Sequence, residues 1–148
     1  MITRLIYSSH ATRFMNMDDI QSILASAKRF NAPNHITGML CHGNNVFLQY
    51  IEGNEEVVDK LYDRIARDDR HKDIRILHRS TGDFPRFTNW SMGFVSSYDS
   101  PVMEMLQEKT GINIFQVDKL NATEALSVIY KLKEMLELQQ GDDESPRS

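Results

Sequence analysis

The phenol of Tyr7 and the carboxamide of Gln49 are the two side chains whose setting raises a chemical question. Residues 46–52 read as a strand, so Phe47, Gln49 and Ile51 face one way and Val46, Leu48 and Tyr50 the other. That puts Gln49 between two large apolar neighbours. A buried amide left without a partner costs about 1–3 kcal/mol. Tyr7, on an N-terminal strand, is a candidate partner if the two strands are neighbours. A phenol and an amide each donate and accept, so the pair can carry a directed hydrogen bond. Taken from parity alone, it is first of all a structural bond in a core.

Other reactive residue types form no comparable group. His10, His35, His42, His71 and His78 are scattered, with no i, i+4 pair and no Cys/His cluster, so a metal centre is not expected. Cys41 is the only cysteine, which excludes an internal disulfide and fits a reducing compartment. No Gly-rich phosphate loop, Ser-His-Asp pattern or paired carboxylates stand out. Met103, Met105 and Met135 read as core filler.

The elements that must hold Tyr7 and Gln49 follow from pattern. Residues 3–8 form a first strand with Leu5 and Tyr7 on one face. Asn16-Met17-Asp18-Asp19 is a helix start with acids in the first turn. Met17, Ile20, Ile23, Leu24 and Ala27 then have helical spacing, and Asn31-Ala32-Pro33-Asn34 ends the helix. Residues 37–42 and 46–52 are the second and third strands, joined across Gly43-Asn44-Asn45, which tolerate positive φ. Gly53-Asn54 opens a second helix with Val58, Leu61, Tyr62 and Ile65 as its apolar stripe. Residues 73–78 are a fourth strand, 80–88 a polar loop and 89–95 a fifth strand. The order β-α-β-β-α-β-β is the ferredoxin-like plan, an α+β fold with one mixed sheet and two helices on one face.

Beyond residue 97 the chain changes character. Asp99-Ser100-Pro101 breaks it, residues 102–107 suit one short helical turn, and 110–118 read as a connector. Asn121-Ala122-Thr123-Glu124 resembles a capping box and opens a helix with Leu126, Ile129, Leu132 and Leu136 on one stripe. The sheet face carrying Ile6, Leu48 and Tyr50 needs a lid. The last helix either supplies it or meets an oligomer or another protein. The expected organisation is a domain over 1–97, a helical extension over 98–140 and a disordered polar tail over 141–148.

Composition fits that plan. The chain has 148 residues, 41% hydrophobic and 26% charged, which suits one globular domain with a short appendage. The net charge is −4, and Asp68, Asp69 and Asp73 interleave with the bases of residues 64–75, so no nucleic-acid surface is expected. No apolar run approaches the roughly 20 residues that span a bilayer. The N-terminal MITRLIYSSH does not read as a signal peptide, so the expected location is the cytoplasm, away from membranes.

Motif wording then adds what pattern cannot. Arg4-Leu5-Ile6-Tyr7-Ser8-Ser9 opens the chain, and Asn31 and Ile36-Thr37-Gly38-Met39-Leu40 follow the first helix. Phe47-Leu48-Gln49, Glu52-Gly53, Arg64-Ile65, Asp68-Asp69-Arg70-His71 and Trp90-Ser91-Met92 come after them. In this order and spacing, residues 1–95 resemble the BLUF family, blue-light sensors using FAD. Each piece is weak alone, and five in register are specific. Ile114-Phe115-Gln116 and the helix after it resemble the short, stand-alone members of the PixD type.

The resemblance implies a site with the isoalloxazine ring between the two sheet-packed helices. Tyr7 matches the electron and proton donor, and Gln49 the amide that bridges it to flavin N5 and O4. Asn31 matches the side chain bonded to the ring's pyrimidine edge, with Arg64 and Asp68 near that edge and Ile65 packed on the ring. Trp90 and Met92 match the signalling pair beside the glutamine. Ser9 and His71 join the expected cofactor contacts, His71 on the ring or phosphate side, with a solvated helix-end histidine as its alternative. One position departs from the pattern. Relatives often carry His or Asn just before Asn31, whereas Phe30 can stack on a ring but cannot hydrogen-bond to it. FAD is the implied cofactor, and FMN or riboflavin fit too, since the motifs contact mainly the ring.

The implied mechanism is proton-coupled electron transfer from Tyr7 through Gln49 to the flavin. Recombination leaves Gln49 rotated or tautomerised and the absorption slightly red-shifted. The output then passes to a separate signalling protein, such as a response-regulator-like factor, from a homo-oligomer without enzymatic activity. Two rivals remain: a ferredoxin-like interaction module without chromophore, and a flavin redox enzyme, for which no nicotinamide site or substrate base is seen.

Overall fold

The computed structural model describes residues 1–85, 93–96, 103–104, 107–108, 111 and 120–144, with the side chains of the last helix described as far as 135. The elements run β1 (Ile2–Ala11), α1 (Met17–Asn31), β2 (Thr37–Gly43), β3 (Val46–Asn54), α2 (Glu55–Ala66), β4 (His71–Gly82), β5 (Gly93–Ser96) and α3 (Ala122–Glu144).

Local chemistry explains the boundaries. Asn16 Oδ1 accepts from the Asp19 backbone N–H at 2.9 Å, and the Asp19 carboxylate accepts from the Asn16 N–H at 3.0 Å. This reciprocal cap satisfies two donors that the first turn of α1 leaves open. Asn16→Ala is expected to cost about 1 kcal/mol, read as a lower midpoint in urea unfolding. Asn44 and Asn45 both take positive φ, 49° and 62°, between the paired Gly43 and Val46. That is the two-residue hairpin turn whose twist matches its strands. Asn54 caps α2 by accepting from Glu56 N–H at 3.0 Å. Just before it, a Cβ on Gly53 would lie 2.5 Å from Ile36 Cδ1, so a side chain there would displace that methyl.

The five strands form one sheet in the order β4-β1-β3-β2-β5. All neighbours are antiparallel except β2 and β5, which run parallel. The ferredoxin-like plan therefore holds, with β5 added beside β2. β1 and β3 lie in the middle and are buried on both faces. On one face Leu5, Tyr7, Leu40, Phe47 and Ile51 pack with Ile20, Val58 and Leu61 of α1 and α2. On the other, Ile6, Met39, Leu48 and Tyr50 pack with Ala125, Val128, Ile129, Leu132 and Met135 of α3. The third helix is thus the lid of the second face. Its cap is also reciprocal: Asn121 Oδ1 accepts from Glu124 N–H at 2.8 Å, and Glu124 accepts from Asn121 N–H.

Several boundaries differ from the sequence expectation. The docked face of α3 consists of Ala125, Val128, Ile129, Leu132 and Met135, so the expected Ile129 and Leu132 are inside while Leu126 is only partly buried. The expected stripe counted only large residues and passed over Ala125, which is fully buried. Leu136 lies outside the described side chains. β4 spans residues 71–82 rather than 73–78, so Ser80, Thr81 and Gly82 are strand and not loop. Their pairing with Arg4, Thr3 and Ile2 of β1 supplies the hydrogen bonds that their polar side chains did not announce. α3 continues past Gly141 to Glu144, into the stretch expected as tail. A single glycine costs a helix only about 1 kcal/mol. Residues 89–92 of the expected fifth strand, most of 102–118 and residues 145–148 lie outside the described residues. Among the described residues no helix is long and apolar enough to cross a membrane. Cys41 is fully buried, and burial pushes its thiol up to about 12, so it is an inert core residue.

Candidate functional site

The register of β1 against β3 places Tyr7 directly opposite Gln49. The Tyr7 hydroxyl donates to Gln49 Oε1. Both are buried, Tyr7 at 2% and Gln49 at 8% exposure. Burial, followed by the nearby Tyr62 and Asp68, drives the Tyr7 phenol far above its usual range. The group is therefore a neutral O–H donor at every physiological pH. Tyr62 meets its ring edge-on at 5.9 Å between centroids, and His71 lies at 6.5 Å. Across the sheet, Ile76, Tyr7, Gln49, Leu40 and Phe94 form one row of strand partners.

Above that row, α1 and α2 part to leave a cleft. Tyr7, Gln49, Phe30, Asn31, Arg64, Ile65, Asp68 and His71 all line it. Asn31 ends α1 and is 1% exposed. Arg64 and Ile65 leave the last turn of α2, and Asp68 follows it. Arg70 Nε donates to both Asp68 oxygens at 3.0 Å. That bond, more than any other influence, holds the Asp68 carboxyl below the usual carboxylate range. His71 Nε2 lies 2.7 Å from the Ile65 carbonyl and its Nδ1 lies 2.8 Å from Ser9 Oγ. A carbonyl only accepts, so Nε2 carries the proton and, in the neutral ring, Nδ1 accepts from the Ser9 hydroxyl. This bridge ties the end of α2 to β1 and fixes the Ile65 wall.

The structure thus gathers eight of the expected site residues at one cleft. Ser9 is not on its wall but stands behind His71. Trp90 and Met92 lie outside the described residues. Sequence reading missed Arg70, although its place two residues after Asp68 allows the side chain to turn back on that carboxylate. It also missed Ile23, Ser26 and Ala27 as cleft lining. Their spacing with Phe30 was the available signal, since 23, 26, 27 and 30 share one helix face. Phe94 is a further omission: it is the described β5 residue in line with Gln49 and packs against the α1–α2 cluster. Among the described residues, no group of three His, Cys, Asp or Glu side chains is placed to hold a metal ion.

A cleft walled by Leu40, Phe47, Leu61 and Ile65, and lined also by the amides of Asn31 and Gln49 and the guanidiniums of Arg64 and Arg70, suits a flat heteroaromatic ligand with a polar edge. Comparison with known proteins points the same way. The BLUF family model, described as sensors of blue light using FAD, matches residues 2–93. The photoactivated adenylate cyclase subunit beta of Euglena gracilis is 44% identical over 77 residues, which is 52% of this chain and 9% of that protein. The chain therefore spans only a small part of that curated relative. Among solved structures, the photo-activated state of BlsA superposes with a TM-score of 0.76 at 33% identity, covering 89% of this chain and 94% of that one. The dark state of BlrB, a BLUF protein, gives 0.66 at 28% identity, covering 85% and 96%.

Proposed function

The chain belongs to the BLUF family, sensors of blue light using FAD, and from that membership we propose that Tyr7 is its photochemical donor and Gln49 its switch. The observation that carries this reading is the buried Tyr7–Gln49 hydrogen bond on the floor of the α1–α2 cleft. Gln49 and Asn31 offer an amide's paired donor and acceptor to a flavin edge, Arg64 adds a cation, and Ile65, Leu40 and Phe47 supply apolar walls. These residues fit the ring. FAD is the cofactor we assign, with FMN and riboflavin sharing the same ring contacts.

A flavin held there would supply a strong oxidant under blue light. Tyr7 would give it an electron and its phenolic proton, the proton passing through Gln49. The return of both to Tyr7 would leave Gln49 rotated or tautomerised. Burial serves this step, because it keeps the proton on the Tyr7 oxygen until light arrives and keeps competing water away. The changed amide then donates differently to its surroundings, and the absorption moves to the red. Trp90 and Met92, and Phe94 in the row of Gln49, are assigned to carry the change towards α3. A hydrogen-bond change can bias a partner only if the two states differ in free energy when the partner is bound.

In this reading the chain is a sensor and not an enzyme. Its output goes to a separate effector, of which a response-regulator-like factor is one kind, from a homo-oligomer in the cytoplasm. Organisation follows as a sensor over 1–97 with a helical extension after it. The testing measurement is a light-minus-dark spectrum of the protein reconstituted with FAD. A reversible small red shift is the expected result. A colourless protein that takes up no FAD favours the chromophore-less interaction module, and bleaching by NADH with accumulating product favours a redox enzyme. Gln49→Leu is expected to bind flavin and lose the red shift, and a shift that survives rules out Gln49 as the switch.

A further inference from the structure

Phe30 leaves the last turn of α1 and Arg64 the last turn of α2, and the two meet across the cleft. The guanidinium carbon lies 5.4 Å from the centroid of the Phe30 ring. That is within the range at which the negative face of a ring attracts a cation. Both residues line the cleft. Phe30 is pinned from behind, because Asn34 Nδ2 donates to its carbonyl at 2.7 Å and closes the helix end. Among the described residues no carboxylate forms an ion pair with Arg64. The ring is therefore the partner that restrains this guanidinium. A long side chain that must be ordered on binding subtracts its lost freedom from the affinity, and one already held in place does not.

We propose that Phe30 and Arg64 form a clasp over the cleft that retains flavin by its ring, with Phe30 as the positioning residue that stations Arg64. The proposal rests on the flavin reading above and names what regulates retention at that site. A histidine or asparagine at position 30 could bond a ring edge by itself. Phenylalanine cannot, and it makes its contribution through the arginine instead. The role is specific to an aromatic face, so it separates cleanly from packing. Leucine keeps the apolar bulk and loses the π-face, whereas tryptophan keeps both.

The experiment measures flavin affinity by fluorescence quenching on apoprotein of wild type, F30L, F30W, R64Q and the F30L/R64Q double variant, with circular dichroism as the folding control. F30L is expected to weaken FAD binding about fivefold while F30W stays within about twofold of wild type. R64Q is expected to cost less in the F30L background than alone, because the two residues act as one unit. Riboflavin is expected to lose as much as FAD. The clasp is overturned if F30L and F30W bind alike, if the F30L and R64Q losses multiply, or if riboflavin is unaffected and the contact thereby moves to the phosphates. In flavin-free protein the same pair is expected to be non-additive in urea unfolding, and additivity there overturns the contact itself. A wild type that takes up no flavin overturns the clasp together with the reading it rests on, whereas normal wild-type binding with an unchanged F30L overturns the clasp alone.

Discussion

Tyr7→Phe is expected to abolish the light-induced red shift while flavin stays bound. The substitution keeps the ring and its edge contact with Tyr62, so the cleft retains its shape. It removes the hydroxyl that donates to Gln49 Oε1. Phenylalanine has no proton to release, and its ring is far harder to oxidise than a phenol. The cost to folding is modest by comparison. A buried amide oxygen loses one donor, which is worth about 1–3 kcal/mol. The measurement pairs a light-minus-dark spectrum with a flavin titration. The expected outcome is complete loss of the shift with affinity changed only a few-fold. A shift of wild-type size in Tyr7→Phe removes Tyr7 from the mechanism, whatever the protein's stability. Compared with Gln49→Leu, this variant separates the donor from the switch: both lose the shift, but only Tyr7→Phe leaves the glutamine in place to bond the ring.

Glu52→Leu is expected to destabilise the fold by roughly 3–5 kcal/mol without removing the light response. Glu52 is 1% exposed and faces Arg4, which is 8% exposed, from the neighbouring strand. Arg4 Nε lies 3.2 Å from Glu52 Oε1, and the Tyr50 hydroxyl donates to the same oxygen at 3.0 Å. Arg4 also donates to the Phe84 carbonyl at 2.6 Å, just past the end of β4. Removing the carboxylate strands a guanidinium in a site that water scarcely reaches, and that penalty exceeds the pair's own worth. The double variant Arg4→Met/Glu52→Leu is therefore expected to recover most of the loss, since neither charge is then left alone. Urea unfolding reads both. Equal stability of Glu52→Leu and wild type sinks the argument. The spectrum is expected to survive because Glu52 shares the α3 face with Leu48 and Tyr50, opposite to Gln49.

The two predictions draw on opposite faces of one strand. β3 carries Phe47, Gln49 and Ile51 towards the cleft, and Leu48, Tyr50 and Glu52 towards α3. Only two residues separate Gln49, the proposed switch, from Glu52 of the buried ion pair. The same strand anchors Arg4 and, through it, the carbonyl of Phe84.

The amino-acid sequence by itself determined the alternation that turns Gln49 inward, the Asn16 cap, the Asn44-Asn45 turn and the helical spacing of α1 and α2. These are properties of a few consecutive residues, set by backbone sterics and by side chains that reach their own neighbours. Parity made Tyr7 a candidate partner for Gln49, and motif wording added Asn31, Arg64 and Asp68 as their companions. Only the tertiary structure decided which of them meet. Tyr7 faces Gln49 because β1 and β3 pair in one register over 42 residues of separation, and a slip by one would turn every side chain to the other face. The same register made the Arg4–Glu52 pair, which no local pattern signalled. The docked face of α3 was likewise set by what it covers, so small Ala125 went inside and Leu126 stayed half out. The Phe30–Arg64 contact joins two helices whose sequences say nothing of each other. Register, helix phase and contacts across a cleft are fixed by burial summed over distant segments, and that sum exists only once the chain has folded.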